Sequence, residues 1–249
     1  WPWIFAVCIS PFLSEGRRYG ILSGENLASI ARFLALARIT REHLAKYKDF
    51  YAPFEDVFRK IRDFSEEADA LGVLDDKGVL YDSASPKLAE IRHDLESLRR
   101  QMRRGAQAIL DNPALSHMLQ ERVTAFRNGH FVFLVRQEFI NRFPGTVVDR
   151  SGSGNSVYME PSSLVPLNNR LALRTRDERE EERAILRELT GKILRRERPL
   201  LEAEAVLADF DLFYGAAELM AAKKWKLPQY DQKTAFVLKE ARHPLLGDE

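Results

Sequence analysis

The chain has 249 residues, enough for one elongated domain or two compact ones, and 30% of them are charged, above the roughly 25% usual for globular proteins. Its 38 Lys and Arg against 37 Asp and Glu leave a net charge of +1, which excludes a global attraction to phosphate or anionic lipid. Any contact with a polyanion must therefore come from local clusters.

A single cysteine, Cys8, excludes an intramolecular disulfide framework and a zinc ribbon, and fits a reducing, cytoplasmic setting. The apolar start from Trp1 to Leu13 is too short to span a bilayer and is interrupted by Pro2 and Pro11. With no initiator Met and no basic leader, Trp1 reads as an internal residue of a longer protein.

From Ser23, Leu27, Ile30, Ala31, Leu34 and Ala37 recur at helical spacing, predicting a helix from about Gly24 to Asp49. Pro53 restarts the pattern, with Phe54, Val57, Phe58, Ile61 and Phe64 on a second stripe. Residues 71–83 are turn-rich, with a short strand expected at Val79 to Tyr81. Ser85 and Pro86 form an N-cap and first-turn pair, and Leu88, Ile91, Leu95, Leu98 and Met102 then mark a long helix. Asn112 and Pro113 interrupt it, and Leu115, Met118, Leu119 and Val123 suggest another helix ending near Gly129.

Between His130 and Pro161 the apolar residues alternate and Gly-rich turns intervene, predicting a small antiparallel sheet of about three strands. After Pro166 a charged helix runs to Arg198, with Leu171, Thr175, Glu178, Glu182, Ile185, Leu189 and Ile193 along one stripe. At about 1.5 Å per residue this arm reaches roughly 45 Å. It returns antiparallel to the helix from Ser85, so the sheet becomes the tip of a helical hairpin. Pro199 marks a break, Leu200 to Trp225 forms a further helix, and Thr234 to Leu238 reads as a strand.

The stretch Arg136 to Asn169, with Gly145, Val147, Asp149, Ser151, Ser153, Gly154, Ser156, Glu160, Pro161, Leu167, Asn168 and Asn169 in register, resembles the signature region of the bacterial MutS-II family, the Smr-domain-bearing relatives of mismatch-repair MutS. Val148 departs from a commonly seen histidine. Glu178 to Leu189, Asp209 to Ala217 and Ala241 to Leu246 resemble further family segments, the last of them the opening of the ATPase domain. The resemblance implies a mainly α fold: an elongated helical lever domain whose long antiparallel hairpin carries a small β clamp-like tip.

On that reading residues 1–85 are the first part of the lever, 86–198 the arms with the tip at about 130–161, 199–230 the second part of the lever, and 231–249 the start of the ATPase domain. It further implies homodimers that enclose branched or recombination-intermediate DNA, with ATP and Mg bound and a C-terminal nuclease in the full-length protein, and no membrane partner. Relatives also have a role attributed to them at stalled ribosomes, so ribosomal or structured RNA is the rival ligand.

Chemistry is sparse in the chain itself. Gly152-Ser153-Gly154-Asn155 has no Lys-Ser/Thr after it, so a strand-to-strand turn is the plainer reading than a P-loop. The five histidines fall in no metal-binding spacing, although His117 and Glu121 would share a helical face. No cofactor, metal or catalytic residue is assigned.

The basic clusters are better candidates. Arg99, Arg100, Arg103 and Arg104 end the first arm, while Arg127, Arg136, Arg142 and Arg150 surround the tip, with Ser151, Ser153 and Asn155 able to add phosphate hydrogen bonds. For Lys192, Arg195, Arg196 and Arg198, pairing with acidic neighbours is the plainer reading. A purely structural dimerisation module and a nuclease active in its own right are the competing functions.

Overall fold

The computed structural model describes residues 8–47, 49, 55–152 and 155–228. The helices in order are α1 (Ser10–Tyr19), α2 (Gly24–Lys46), α3 (Glu55–Phe58), α4 (Ser65–Leu71), α5 (Pro86–Asp111) and α6 (Pro113–Ser116). Strands β1 (Leu119–Arg127), β2 (His130–Arg136), β3 (Gly145–Arg150) and β4 (Ser156–Pro161) follow, then helices α7 (Val165–Leu194) and α8 (Glu197–Lys223). The chain is mainly helical with one small antiparallel sheet. It divides into two compact units, residues 1–208 and 209–249.

In the first unit, one apolar core joins α1, α2 and α4 to the end of α7 and the start of α8, through Leu13, Leu27, Phe33, Leu189, Ile193 and Leu200 among others. Each such buried side chain contributes about 1.5–3 kcal/mol relative to exposure. The core is closed by polar anchors. Thr190, fully buried, accepts the Leu22 backbone N–H at 2.9 Å. The Glu204 carboxylate accepts the N–H groups of Ile9 and Ser10 at the α1 N-terminus, at 2.5 and 3.2 Å. Gly24 and Gly78 meet backbone to backbone, where a Cβ on either would fall within about 2 Å of the other's main chain.

Helix α5 begins where the sequence predicts: the Ser85 hydroxyl accepts the Leu88 N–H at 2.9 Å. It buries Leu88, Ile91, Leu95, Leu98, Met102, Ala106 and Ile109. Helix α7 runs antiparallel to it, as successive ion pairs show: Lys87 with Glu181 at 2.8 Å, Arg92 with Glu178 at 3.0 Å, and Asp94 with Arg174 at 2.7 Å. Few residues along the middle of α7 are buried, so these ion pairs hold a seam where apolar packing is thin.

A second core lies where the pair meets the sheet, with Met102, Ala106, Ile109 and Leu164 packed on Phe133, Val135, Val157 and Met159. The sheet order is β1-β2-β4-β3, each neighbouring pair antiparallel.

Several expectations are corrected here. The helix expected to end near Gly129 is strand β1, so the sheet has four strands. Val123, Thr124 and Phe126 suit a strand, and Asn128 and Gly129, at φ 50° and 87°, make the two-residue hairpin turn into β2. Asn-Gly is the strongest short hairpin signal.

The second stripe is no continuous helix: α3 is one turn long, and Ile61 and Phe64 are buried from irregular backbone. There the Asp63 carboxylate accepts the Ser65 N–H at 3.1 Å, a local bond that competes with helix. Val79 to Tyr81 is no strand, only a single bridge between Leu74 and Leu80. The break before α8 falls at residues 195–196, ahead of Pro199, which sits in the first helical turn where a missing N–H costs little.

In the second unit, the described residues continue α8 to Lys223, with Leu212, Phe213 and Leu219 exposed. The expected strand at Thr234 to Leu238 and the Ala241 to Leu246 segment lie outside the described residues.

Candidate nucleic-acid interface

Alternation along the strands gives the sheet two faces. Phe133, Val135, Val157 and Met159 face the helices, so their neighbours Leu134, Arg136, Ser156 and Tyr158 lie on the other side. In register, Leu134 pairs with Tyr158 and Arg136 with Ser156. Tyr158 is half-buried and Arg136 exposed.

The expected site residues divide into groups. Arg99, Arg100, Arg103 and Arg104 form an exposed patch on α5 opposite its buried stripe. Arg100 pairs with Glu96 at 3.2 Å; the other three have no acidic partner among the described residues. Arg136, at the end of β2, Arg142, after a single 3-10 turn at Gln137–Phe139, and Arg150, at the end of β3, are exposed and equally without one. Arg150 pairs with Val157 and so starts from the opposite face to Arg136. The sheet arginines therefore do not form one compact cluster.

Arg127 differs from these. From the end of β1 its guanidinium crosses the neighbouring strand β2 to reach Tyr158 on β4, with Cζ 4.9 Å from the ring centroid and Nη2 3.3 Å from the hydroxyl. The Tyr158 hydroxyl, foremost, holds the Arg127 pKa above its ordinary value.

Ser151 closes the β3–β4 connection. Its hydroxyl donates to the Ser156 carbonyl at 2.8 Å and accepts from the Ser156 hydroxyl at 3.1 Å, so its proton is committed to the turn. Asn155 is exposed, its carbonyl accepting the Gln137 N–H at 3.1 Å. Ser153 lies outside the described residues. The connection leads into a strand and carries no Lys-Ser/Thr, so it offers neither the helix N-terminus nor the cation of a nucleotide cradle.

Of the cations at the base of α7, Lys192 pairs with Glu188 at 2.8 Å, Arg196 with Glu67 at 3.4 Å and Arg198 with Glu202 at 3.0 Å, whereas Arg195 is exposed and makes no ion pair among the described residues. His117 precedes β1 and contacts the Pro113 carbonyl at 2.8 Å, so the helical face expected for it and Glu121 does not exist. Among the described residues no group of three or more His, Cys, Asp or Glu side chains is placed to hold a metal ion, and no helix is long and apolar enough to cross a membrane.

Sequence spacing missed one buried polar cluster. Asn168, fully buried on α7, donates to Glu160 at 2.6 Å and bonds the backbone of Phe131, while His130 Nδ1 lies 3.0 Å from the same Glu160 oxygen. Glu160 and Asn168 both fall in the signature string. Their shared task is to lock β4, β2 and α7 together.

No protein-family model matches the chain. Curated proteins do. The fold, long helices carrying a small antiparallel sheet, and the sequence matches together are similar to a region of MutS-family proteins. The matches are to proteins named Endonuclease MutS2: that of Geobacillus thermodenitrificans strain NG80-2 is 27% identical over 92% of this chain and 30% of its own length. That of Enterococcus faecalis is 30% identical over 92% of this chain and 29% of its own, and that of Synechocystis sp. strain PCC 6803 is 33% identical over 94% and 29%. The chain is thus a MutS2-like sequence spanning about three-tenths of the length of the curated relatives it matches.

Proposed function

We propose that this region contacts the sugar–phosphate backbone of branched or recombination-intermediate DNA, with the sheet and the adjoining end of α5 as the contact surface. The observation that carries it is the set of exposed arginines without acidic partners among the described residues, Arg99, Arg103, Arg104, Arg136, Arg142 and Arg150, in a chain of net charge +1. Elsewhere in the first unit, Arg41, Arg92, Arg174, Arg196 and Arg198 spend their charge on carboxylates, although Arg170, Arg179, Arg183, Arg187 and Arg195 are exposed without an acidic partner among the described residues as well. Unpaired guanidinium groups favour phosphate, which they meet in a fork geometry. Such contacts position a protein on nucleic acid without reading sequence.

In this reading the chain supplies DNA contact. The cleavage named for the relatives, and the ATP and Mg that the resemblance implies, are assigned by this proposal to parts of the longer proteins that the chain does not span. The test is direct competition among a four-way junction, plain duplex and structured RNA at two salt concentrations. Preferential, salt-sensitive binding of the junction is expected. A preference for RNA would redirect the reading to a ribosomal partner, and binding of none of the three would reject it.

A further inference from the structure

The pairing of Arg127 with Tyr158 has no part in holding the core together. Tyr158 occupies the middle of β4 on the face turned away from the helices, between Leu134 on β2 and Asp149 on β3. Arg127 is exposed, and no carboxylate lies within ion-pair distance of it among the described residues; Asp149 acts on it only at longer range. An arginine with no acid to bind ordinarily points into water. This one is fixed at two points, over the ring and at the hydroxyl.

We infer that Arg127 and Tyr158 form a stacking platform for one unpaired nucleobase of the DNA held by this surface. A guanidinium and a phenol ring are both flat π surfaces on which any base stacks, and the tyrosine has already oriented the cation before a ligand arrives. Arg136 supports the assignment. It lies on the same face, two residues along β2 from Leu134, the strand partner of Tyr158. Two residues of strand cover about 7 Å. That is the reach from a base on Tyr158 to the phosphate of its own or the next nucleotide, so Arg136 takes the phosphate while the pair takes the base.

The consequence is selectivity. Bases of intact duplex are stacked on one another and offer the platform nothing, whereas a gap, flap or open junction presents free bases. The inference rests on the DNA-backbone reading above and adds to it the feature that distinguishes branched from plain DNA.

The experiment uses the full chain with two DNAs of equal phosphate number, a duplex and a duplex carrying a short single-stranded gap, with 2-aminopurine in the gap as a stacking reporter. Wild type should prefer the gapped DNA and quench the reporter. Tyr158→Ala should lower affinity for gapped DNA about tenfold, restore the fluorescence and leave duplex affinity unchanged. Tyr158→Phe, which keeps the ring, should still quench.

If wild type binds both DNAs and leaves the reporter bright, the stacking platform is wrong and the backbone reading stands. If wild type binds neither DNA, both fall. Should Tyr158→Ala fail to fold, the wild-type quench together with that of Tyr158→Phe carries the test, and absence of quenching in wild type overturns the inference.

Discussion

Asn168 on α7 holds both backbone groups of Phe131 on β2, its Oδ1 accepting the N–H at 3.0 Å and its Nδ2 donating to the carbonyl at 3.2 Å. Continuing the β2–β4 register puts Pro161 opposite Phe131, and a proline has no N–H to give. The ladder would end there with a carbonyl unpaired, and the side-chain amide supplies the missing partner. Asn168→Ala should therefore cost about 3 kcal/mol in a urea titration, since buried groups lose their partners. Asn168→Asp should cost at least as much, because it sets a second carboxylate against Glu160. A loss of only a few tenths of a kcal/mol would show that the amide is dispensable.

Arg92 is the hub of the α5–α7 seam, bonded to Asp82 at 2.7 Å, Glu178 at 3.0 Å and Glu182 at 2.9 Å. Burial pulls its pKa down, but the hydrogen bonds it donates to the three carboxylates outweigh burial and raise it overall. Arg92→Met leaves two half-buried carboxylates of α7 facing each other, and a stability loss of about 2 kcal/mol is expected. Combining it with Glu178→Gln should recover part of that loss; simple additivity of the two would contradict a coupled seam.

The Glu181 carboxyl is held below its ordinary value of 4.5, first by the Lys87 hydrogen bond and then by that of Ser85. The folded chain thus binds this proton more weakly than the unfolded chain does. Its contribution is complete above the ordinary value and is lost as pH falls through the lower folded value. The stability gap between wild type and Glu181→Gln should be largest near neutral pH and close as the solution is acidified below about pH 4. A gap that stays constant across that window would show that the carboxylate charge is not what matters.

Gly129 sits at φ 87° in the β1–β2 turn, with nothing within 4 Å of where a Cβ would lie. Steric room is therefore no obstacle, and the cost of Gly129→Ala comes from the backbone alone. About 1 kcal/mol is expected by thermal or urea unfolding. A neutral substitution would count against this turn geometry.

The legible part of the fold is the part governed by local periodicity. Leu88, Ile91, Leu95, Leu98 and Met102 are picked out by spacing and are buried along α5. On α7 the same spacing places Thr175, Glu178 and Glu182 on the stripe; Glu178 and Glu182 do face α5, but through ion pairs to Arg92. β1 imitates a helix face in sequence because Leu115, Leu119 and Val123 fall four apart. The strand register is irregular between Leu119 and Thr124, so the simple alternation that would have revealed it is blurred.

For the candidate site, cation-rich stretches were visible as composition, but which arginines lack partners depends on acids brought near by folding. Arg127 and Tyr158 are 31 residues apart, and Phe131 and Asn168 are 37 apart. No local pattern links such pairs; only the β1-β2-β4 strand order and the return of α7 bring them together.

Whether the unpartnered arginines of the sheet hold a nucleic-acid backbone is read from the salt dependence of four-way-junction binding by wild type and by Arg142→Ala combined with Arg150→Ala. The double variant should bind more weakly, with a log-affinity against log-salt slope shallower by about 1–2. Affinity and slope equal to those of wild type would contradict that contact.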